Sequence, residues 1–400
     1  MSEVAFGRTV RLVTERSTSR RGFRIGLEAV EKGTGRLNFD PEVQYEGDGI
    51  AFRRGDVLFG KLRPSLRKAW LADTDGDAVG DFHVYRPIRE LMTSRYLAYV
   101  VLSAPFLDPV IASVYGAKMP RADWTQVRNT KVWVPGVTEQ RAIADYLDRE
   151  TAQIDAFIAK NEELIALLTE RRAAIVAYLI TGKGAVGSAE RIDSGVDWIG
   201  TIPSHWEVRP LRWSARIRTG TTPSGDSVFA DEPGQPWIRP DDLDVSGGPS
   251  IASRWLTENG AAQGKPAAAG STLLCTIGAT LGKAGRVTRA VYFNQQITAL
   301  KWALNDEFLF WAFAAARAAV VRLSVGNTLP ILNNEKLAGL RIPVPPLEEQ
   351  SLVVGRIKEQ TARLDAAIDT ARRGVVLARE RRAALISAAV TGKIDLGVVV

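Results

Sequence analysis

A chain of 400 residues that copies one of its own segments without a gap is constrained first by that copy. Glu139-Gln140 returns as Glu349-Gln350, Glu170-Arg171-Arg172-Ala173-Ala174 as Glu380-Arg381-Arg382-Ala383-Ala384, and Thr181-Gly182-Lys183 as Thr391-Gly392-Lys393, always 210 residues later. About 16 of the roughly 45 aligned positions are identical. The same offset pairs Gly116 and Pro120 with Gly326 and Pro330, and Val134-Pro135 with Val344-Pro345. Farther upstream, Gly55-Asp56-Val57-Leu58-Phe59 aligns with Gly270-Ser271-Thr272-Leu273-Leu274 at an offset of 215. The chain is a tandem duplication in which each half is a variable unit followed by a more similar one.

The similar units have the pattern of long helices. Ile143, Leu147, Thr151, Ile154, Ile158, Ile165, Leu168, Ile175 and Leu179 keep alternating steps of three and four, with Asn161 and Arg172 interrupting. Val353, Ile357, Thr361, Leu364, Ile368, Ala371, Val375, Ala378, Leu385 and Ala389 repeat the pattern. That is the 3.5-residue seam of a coiled coil. Some 40 residues at 1.5 Å each predict a rod of roughly 60 Å. Pro135 and Pro345-Pro346 limit the helix starts, and Gly182 and Gly392 suit the stops. A lone rod cannot hide such a seam, and the other copy is its simplest partner. A repeated surface buries itself most simply about a pseudo-two-fold axis, which predicts antiparallel helices. Ile154, Ile158, Leu168 and Ile175 are expected to pack against Leu364, Ile368 and Leu385.

The variable units carry short glycine-bounded β runs such as Asp56-Val57-Leu58-Phe59 and Thr272-Leu273-Leu274-Cys275-Thr276-Ile277, interrupted by helical patches at 94–102 and 307–323. The fold class expected is α+β, two mixed-sheet domains joined by the helices. The sequence divides into a variable domain over 1–137, a helical unit over 138–183, a linker over 184–193, a second variable domain over 194–346, a second helical unit over 347–393 and a tail over 394–400.

Charge separates these parts. The chain is +7 overall, and its variable units hold 21 basic against 16 acidic and 15 against 12, whereas the first helical unit holds 7 against 10. A polyanion is therefore expected to meet the variable units. One cysteine excludes a disulfide framework or a thiolate zinc site, and two histidines are too few for a histidine metal cluster. No apolar run nears the roughly 20 residues of a membrane span, and a cytoplasmic protein is expected. Catalytic signatures are missing. Gly278-Ala279-Thr280-Leu281-Gly282-Lys283-Ala284 has the wrong spacing for a phosphate loop, and no Asn/Asp-Pro-Pro-aromatic string or dinucleotide fingerprint is present. Asp241-Asp242 lacks the Glu-x-Lys of a metal-dependent nuclease. A binding protein is expected, with no catalytic residue, metal or cofactor.

Val344-Pro345-Pro346-Leu347-Glu348-Glu349-Gln350, Thr361, Leu364-Asp365, Glu380-Arg381-Arg382-Ala383-Ala384-Leu385-Ile386 and Thr391-Gly392-Lys393-Ile394-Asp395 closely resemble the conserved region of type I restriction–modification specificity subunits. Asp197-Trp198-Ile199-Gly200-Thr201-Ile202-Pro203-Ser204-His205-Trp206-Glu207-Val208 is similar to that family's lead-in to a target recognition domain, and Gly60-Lys61-Leu62-Arg63-Pro64 and Phe293-Asn294-Gln295-Gln296 to strings within it. The resemblance spans nearly the whole chain. It implies two target recognition domains, each reading half of a bipartite site in double-stranded DNA. It also implies that the two antiparallel helices set the gap and dock two methyltransferase subunits, which restriction subunits join. The first half departs from the pattern, because Met1 to Arg11 lacks the tryptophan–Ile-Pro–tryptophan lead-in.

Within that reading Lys61, Arg63, Arg67, Lys68, Lys118, Arg121 and Lys283 are expected at phosphates. Asn294, Gln295, Gln296 and Asn327 have amides suited to base edges. Trp198, Trp206, His83 and His205 are expected to be structural, and Cys275 a small core hydrophobe. The competing readings are a metal-dependent endonuclease and a helical protein-interaction scaffold. Salt-dependent DNA binding that disappears without the partner methyltransferase would separate the specificity-subunit reading from both, and cleavage by the isolated chain would favour the endonuclease.

Overall fold

The computed structural model describes residues 3–17, 22–114, 119–184, 190–231, 234–326 and 328–394. The chain forms two compact units, one of residues 1–162 with 372–400 and the other of residues 163–371. The boundaries cut two long helices, Val137–Ile180 and Leu347–Ala389, near their middles. Each unit thus owns one half of each helix as well as its own α+β domain.

Within each unit the two helix halves run antiparallel. In the first, Asp155 pairs with Arg382 and Glu162 with Arg379, so partners descend on one helix as they ascend on the other. In the second, Arg172 pairs with Asp365, while Val176 and Leu179 share a core with Val354 and Ile357. Ile154 and Ile368 are buried as the spacing predicts. Ile158, Leu168, Ile175, Leu364 and Leu385 are half-buried, so the seam is shallower than a closed coiled coil. Arg172 does not interrupt it, because its guanidinium is spent on Asp365.

The repeated motifs prove to be joints. Gln140, fully buried, accepts the Thr93 N–H at 2.8 Å and donates to the carbonyls of Leu91 (2.7 Å) and Pro135 (2.9 Å). Gln350 accepts the Asn305 N–H at 3.2 Å and donates to the Pro345 carbonyl at 2.8 Å. Thr93 and Asn305 are the N-caps of the domain helices Ser94–Leu102 and Asp306–Ala315, so each glutamine bolts a long helix to the start of a core helix. At the other end Gly182 and Gly392 adopt φ of +69°. The N–H groups of Lys183 and Lys393 return to the carbonyls of Tyr178 and Ala388, both at 3.0 Å, as a Schellman stop requires.

Each domain contains two four-stranded sheets. The first sheet is antiparallel throughout and has the same order in both units. That order is Val10–Val13, Phe82–Pro87, Val57–Gly60, Ala69–Leu71 in one and Ala215–Thr219, Ile297–Trp302, Thr272–Cys275, Ala284–Arg286 in the other. The second sheets both end in a parallel pairing, but their strand orders differ. In the first unit Gly76–Val79 is central with Arg24–Ile25 at the edge, and in the second Gln235–Ile238 is central with Tyr292–Phe293 at the edge. Apolar strands such as Val57-Leu58-Phe59, buried on both faces, pack beneath helices that carry Tyr96, Phe106, Phe308 and Phe313 into the cores.

Two expectations need correction. The end of the expected linker over 184–193 is a strand, because Arg191–Asp193 pairs with Thr201–Pro203, while residues 185–189 lie outside the described residues. Arg191 fixes it by donating to the Gly182 carbonyl at 2.9 Å and to the Thr201 hydroxyl at 3.2 Å. The first half also keeps part of its lead-in: Glu3–Ala5 pairs with Lys131–Trp133 as Glu207–Pro210 pairs with Arg341–Val344.

Candidate nucleic-acid interface

The basic run at 61–68 folds as a strand end, a reversed turn and a strand start. A short 3-10 helix, Pro64–Leu66, stands between two left-handed residues, Arg63 at φ +49° and Arg67 at φ +52°. Left-handed backbone disfavours any residue with a Cβ. In the second half, 215 residues later, the same two positions are Gly278 at φ +89° and Gly282 at φ +82°. The backbone cradle is otherwise shared. The Arg63 and Gly278 N–H groups donate to the carbonyls of Pro120 and Pro330 at 2.8 and 2.9 Å. The Ala122 and Leu332 N–H groups donate to the carbonyls of Lys61 and Thr276, both at 2.8 Å. Residues 120 and 330 thus hold equivalent places in the two cradles. The cradle also shows what Gly278 to Lys283 is: a turn needing two positive φ values, with no resemblance to a phosphate loop.

The turn divides the basic residues into two groups. Lys61, Arg63 and Arg121 gather at one end. Asp81 lies between Lys61 (3.9 Å) and Arg121 (3.0 Å), while Arg63 is exposed. Arg67 and Lys68 face the loop over 27–36, where the Gly33 N–H donates to the Arg67 carbonyl at 2.9 Å. The Lys68 ammonium donates to the Leu27 carbonyl at 2.7 Å, and burial, followed by the charge of Lys32, holds its pKa below the usual lysine range. Lys283 does the equivalent by donating to the Pro240 carbonyl at 2.7 Å. These two lysines brace loops, and their charges are less available to phosphate than the sequence suggests.

The amide string divides too. Asn294 is buried, donates to the Gln296 Oε1 at 3.1 Å and accepts the Gln296 N–H at 3.2 Å, so it closes a turn. Gln296 is half-buried against it, whereas Gln295 is exposed beside Thr222, whose hydroxyl donates to it. Lys118 and Asn327 lie outside the described residues.

Arg11 and Arg216 lie 205 residues apart, outside the 210- and 215-residue offsets of the repeat. Both are exposed on outer strands and stand opposite Arg86 and Lys301 in the ladder. Like charges facing one another across strands repel. Asp56 neutralises Arg86 and Asp306 neutralises Lys301, each at 2.6 Å, leaving Arg11 and Arg216 as the outward charges. The signal that could have found them is an arginine one residue into the outer strand of each copy.

The residues expected to be structural are so. The Trp206 indole donates to Glu349 and His205 meets the same carboxylate, both at 2.8 Å, while Trp198 donates to the Arg341 carbonyl at 3.2 Å. His83 is buried beside the Tyr85 hydroxyl, and burial, with Lys61 adding to it, pushes its pKa down to about 4. Cys275 is buried, which raises its pKa. Asp242 caps its own turn, accepting the Arg239 N–H at 2.8 Å and the Ser253 hydroxyl at 2.6 Å. Among the described residues, no three histidine, cysteine or carboxylate side chains gather as a metal site would require.

Comparison with known proteins places this geometry. Residues 203–369 match the family described as the type I restriction modification DNA specificity domain. The putative type I restriction enzyme MjaX specificity subunit of Methanocaldococcus jannaschii is 22% identical over 354 residues, covering 85% of this chain and 78% of that one. The EcoDI specificity subunit of Escherichia coli is 23% identical over 276 residues, covering 62% and 59%. A chain solved in a study of complex assembly and conformational transition of a type I R-M system shares the fold, with a TM-score of 0.64 at 21% identity over 98% of both chains.

Proposed function

The chain belongs to the specificity subunits of type I restriction–modification enzymes, and from that premise we propose that each compact unit reads one half of a bipartite, asymmetric target in double-stranded DNA. The observation that carries this reading is the duplicated domain: the first sheet and its backbone turn cradle are common to both halves, while the side chains on that turn and the strand order of the second sheet differ. Two readers on a shared plan with different surfaces suit two different half-sites. Exposed Arg63, Arg11 and Arg216 meet phosphates, and Lys61 and Arg121 do so in competition with Asp81. Gln295 is the amide best placed for a base edge.

The partners are two methyltransferase subunits docked on the helices and restriction subunits beyond them. The chain itself performs no chemistry, and it acts in the cytoplasm on double-stranded DNA. Among the described residues no single helix is long and apolar enough to cross a membrane.

The test is the pattern of methylated bases in the genome of a host carrying this chain with its cognate methyltransferase. One interrupted, non-palindromic sequence is expected, and it should vanish when the chain is deleted. A continuous or palindromic target would defeat the two-reader assignment.

A further inference from the structure

The helical seam holds one arginine per helix, at matched positions 210 residues apart. Arg382, only 6% exposed, donates to Asp155 at 3.0 Å and sends its two remaining nitrogens to the carbonyls of Gly33 (2.6 Å) and Thr34 (2.7 Å). Arg172 donates to Asp365 at 2.6 Å and to the Ser246 carbonyl at 2.5 Å, with Trp311 5.2 Å from its guanidinium carbon. Asp155 and Asp365 are themselves 210 residues apart. Each arginine therefore joins three things within its own unit: the helix it belongs to, the opposite helix, and one loop of the adjoining domain.

Stability alone does not account for this choice. A buried ion pair is a weak source of stability, and an apolar residue at a seam position commonly does as well or better. What an aliphatic residue cannot do is hold backbone carbonyls, and lysine lacks the planar fork that spans several acceptors. The loops held are those that brace the turn described above. The loop at 31–36 is bonded through Gly33 to Arg67, and Lys32 bridges to Lys68. The loop at 246–250 is bonded through Ser250 to the Arg286 carbonyl at 2.8 Å, three residues beyond Lys283. A Cβ at Gly35 would lie 3.3 Å from Leu102 and one at Gly247 2.5 Å from Trp311, so these two positive-φ glycines let each loop lie close to the domain beneath.

We propose that Arg382 with Asp155, and Arg172 with Asp365, are positioning residues that fix each reading surface on the helical frame, so that the complex accepts one spacing between half-sites. This rests on the chain being a specificity subunit. The experiment measures methylation by the assembled methyltransferase on DNAs carrying both half-sites at every spacer from two pairs short to two pairs long. The wild type selects one spacer.

Arg382→Leu and Arg382→Lys both release the loop carbonyls. Each should raise methylation at spacers one pair off by roughly tenfold relative to the cognate spacer, equivalent to about 1.4 kcal/mol of lost discrimination. The half-sites themselves stay unchanged. Arg381→Leu, one residue away and exposed, should leave the spacer profile as in the wild type. Lysine keeps a charge beside Asp155, so if the leucine variant fails to fold the lysine variant still decides.

A folded, assembled Arg382→Lys with the wild-type spacer profile overturns the proposal. Failure of the specificity-subunit reading would look different, because the wild type would then methylate no defined site. In that event spin labels at Glu31→Cys and Ala152→Cys, both in the first unit, report directly on the joint. A broader distance distribution in Arg382→Lys supports the clamp, and an unchanged one rejects it.

Discussion

At the residue scale, Arg63 and Arg67 hold a conformation that disfavours L residues by about 1–2 kcal/mol each, at positions where the other half uses glycine. Persistent strain of this kind marks side chains kept for what they touch. Arg63→Gly and Arg67→Gly should each stabilise the free chain by about 1 kcal/mol, and Arg63→Gly should also weaken DNA binding. Arg63→Gly should flatten the slope of log affinity against log salt by roughly one, and Arg67→Gly should leave it unchanged. Urea midpoints and salt titrations read the two opposite signs, and stabilisation without loss of binding in Arg63→Gly would make that arginine a relic of the turn. His83 supplies a pH dependence. Its folded pKa of about 4 lies below its ordinary 6.5, so it contributes no pH dependence above 6.5. As pH falls from 6.5 toward 4 the unfolded chain takes the proton first, and stability drops by up to roughly 3 kcal/mol. His83→Gln should reduce that slope in urea unfolding across the same window. The charges of these residues were plain in the sequence, but their grouping was not. Positive φ values separate Arg63 from Arg67, and only the backbone reveals that Lys68 and Lys283 turn inward.

At the element scale the seam was readable because a spacing of three and four has one geometric meaning along a helix. Its depth was not readable, since half-burial at Leu168 and Leu364 depends on what lies across from them. Ile368, buried at 5% exposure, should tolerate Ala at a loss of roughly 2–5 kcal/mol. The repeated glutamines stood out as copies with no visible purpose, because their partners Thr93 and Asn305 lie some 45 residues upstream. Gln140→Leu removes the amide and leaves the Thr93 N–H and two carbonyls without it. A loss of about 1–3 kcal/mol for each group left buried is expected. Hydrogen exchange should locate the damage at the start of Ser94–Leu102. Uniform exchange across the unit would mean that Gln140 only fills space.

At the scale of the whole molecule, duplication and α+β class were legible early, since a gapless repeat leaves few architectures open. The division into units was not, because each long helix is shared and no local signal marks its middle at 162 or 371. Those two points are where a ruler should be lengthened. One seven-residue repeat inserted after Glu162 and another after Ala371 preserves the seam and adds about 10.5 Å of helix, close to three base pairs at 3.4 Å each. The methylated target should gain about three unread pairs with both half-sites intact, and an unchanged gap would leave the helices as docking struts only. Sharing the helices also orders events at the ribosome. Residues 163–371 form one unit as an uninterrupted stretch, whereas the other waits for Ile386, Ala389 and Val390 to cover Ile143, Leu147 and the core beside them. Domains ordinarily mature in the order of synthesis, but here the order is inverted. A nascent chain stalled once Ala371 has cleared the exit tunnel should resist protease over 163–371 and be cut within the first 162 residues. The half that is translated first is completed last.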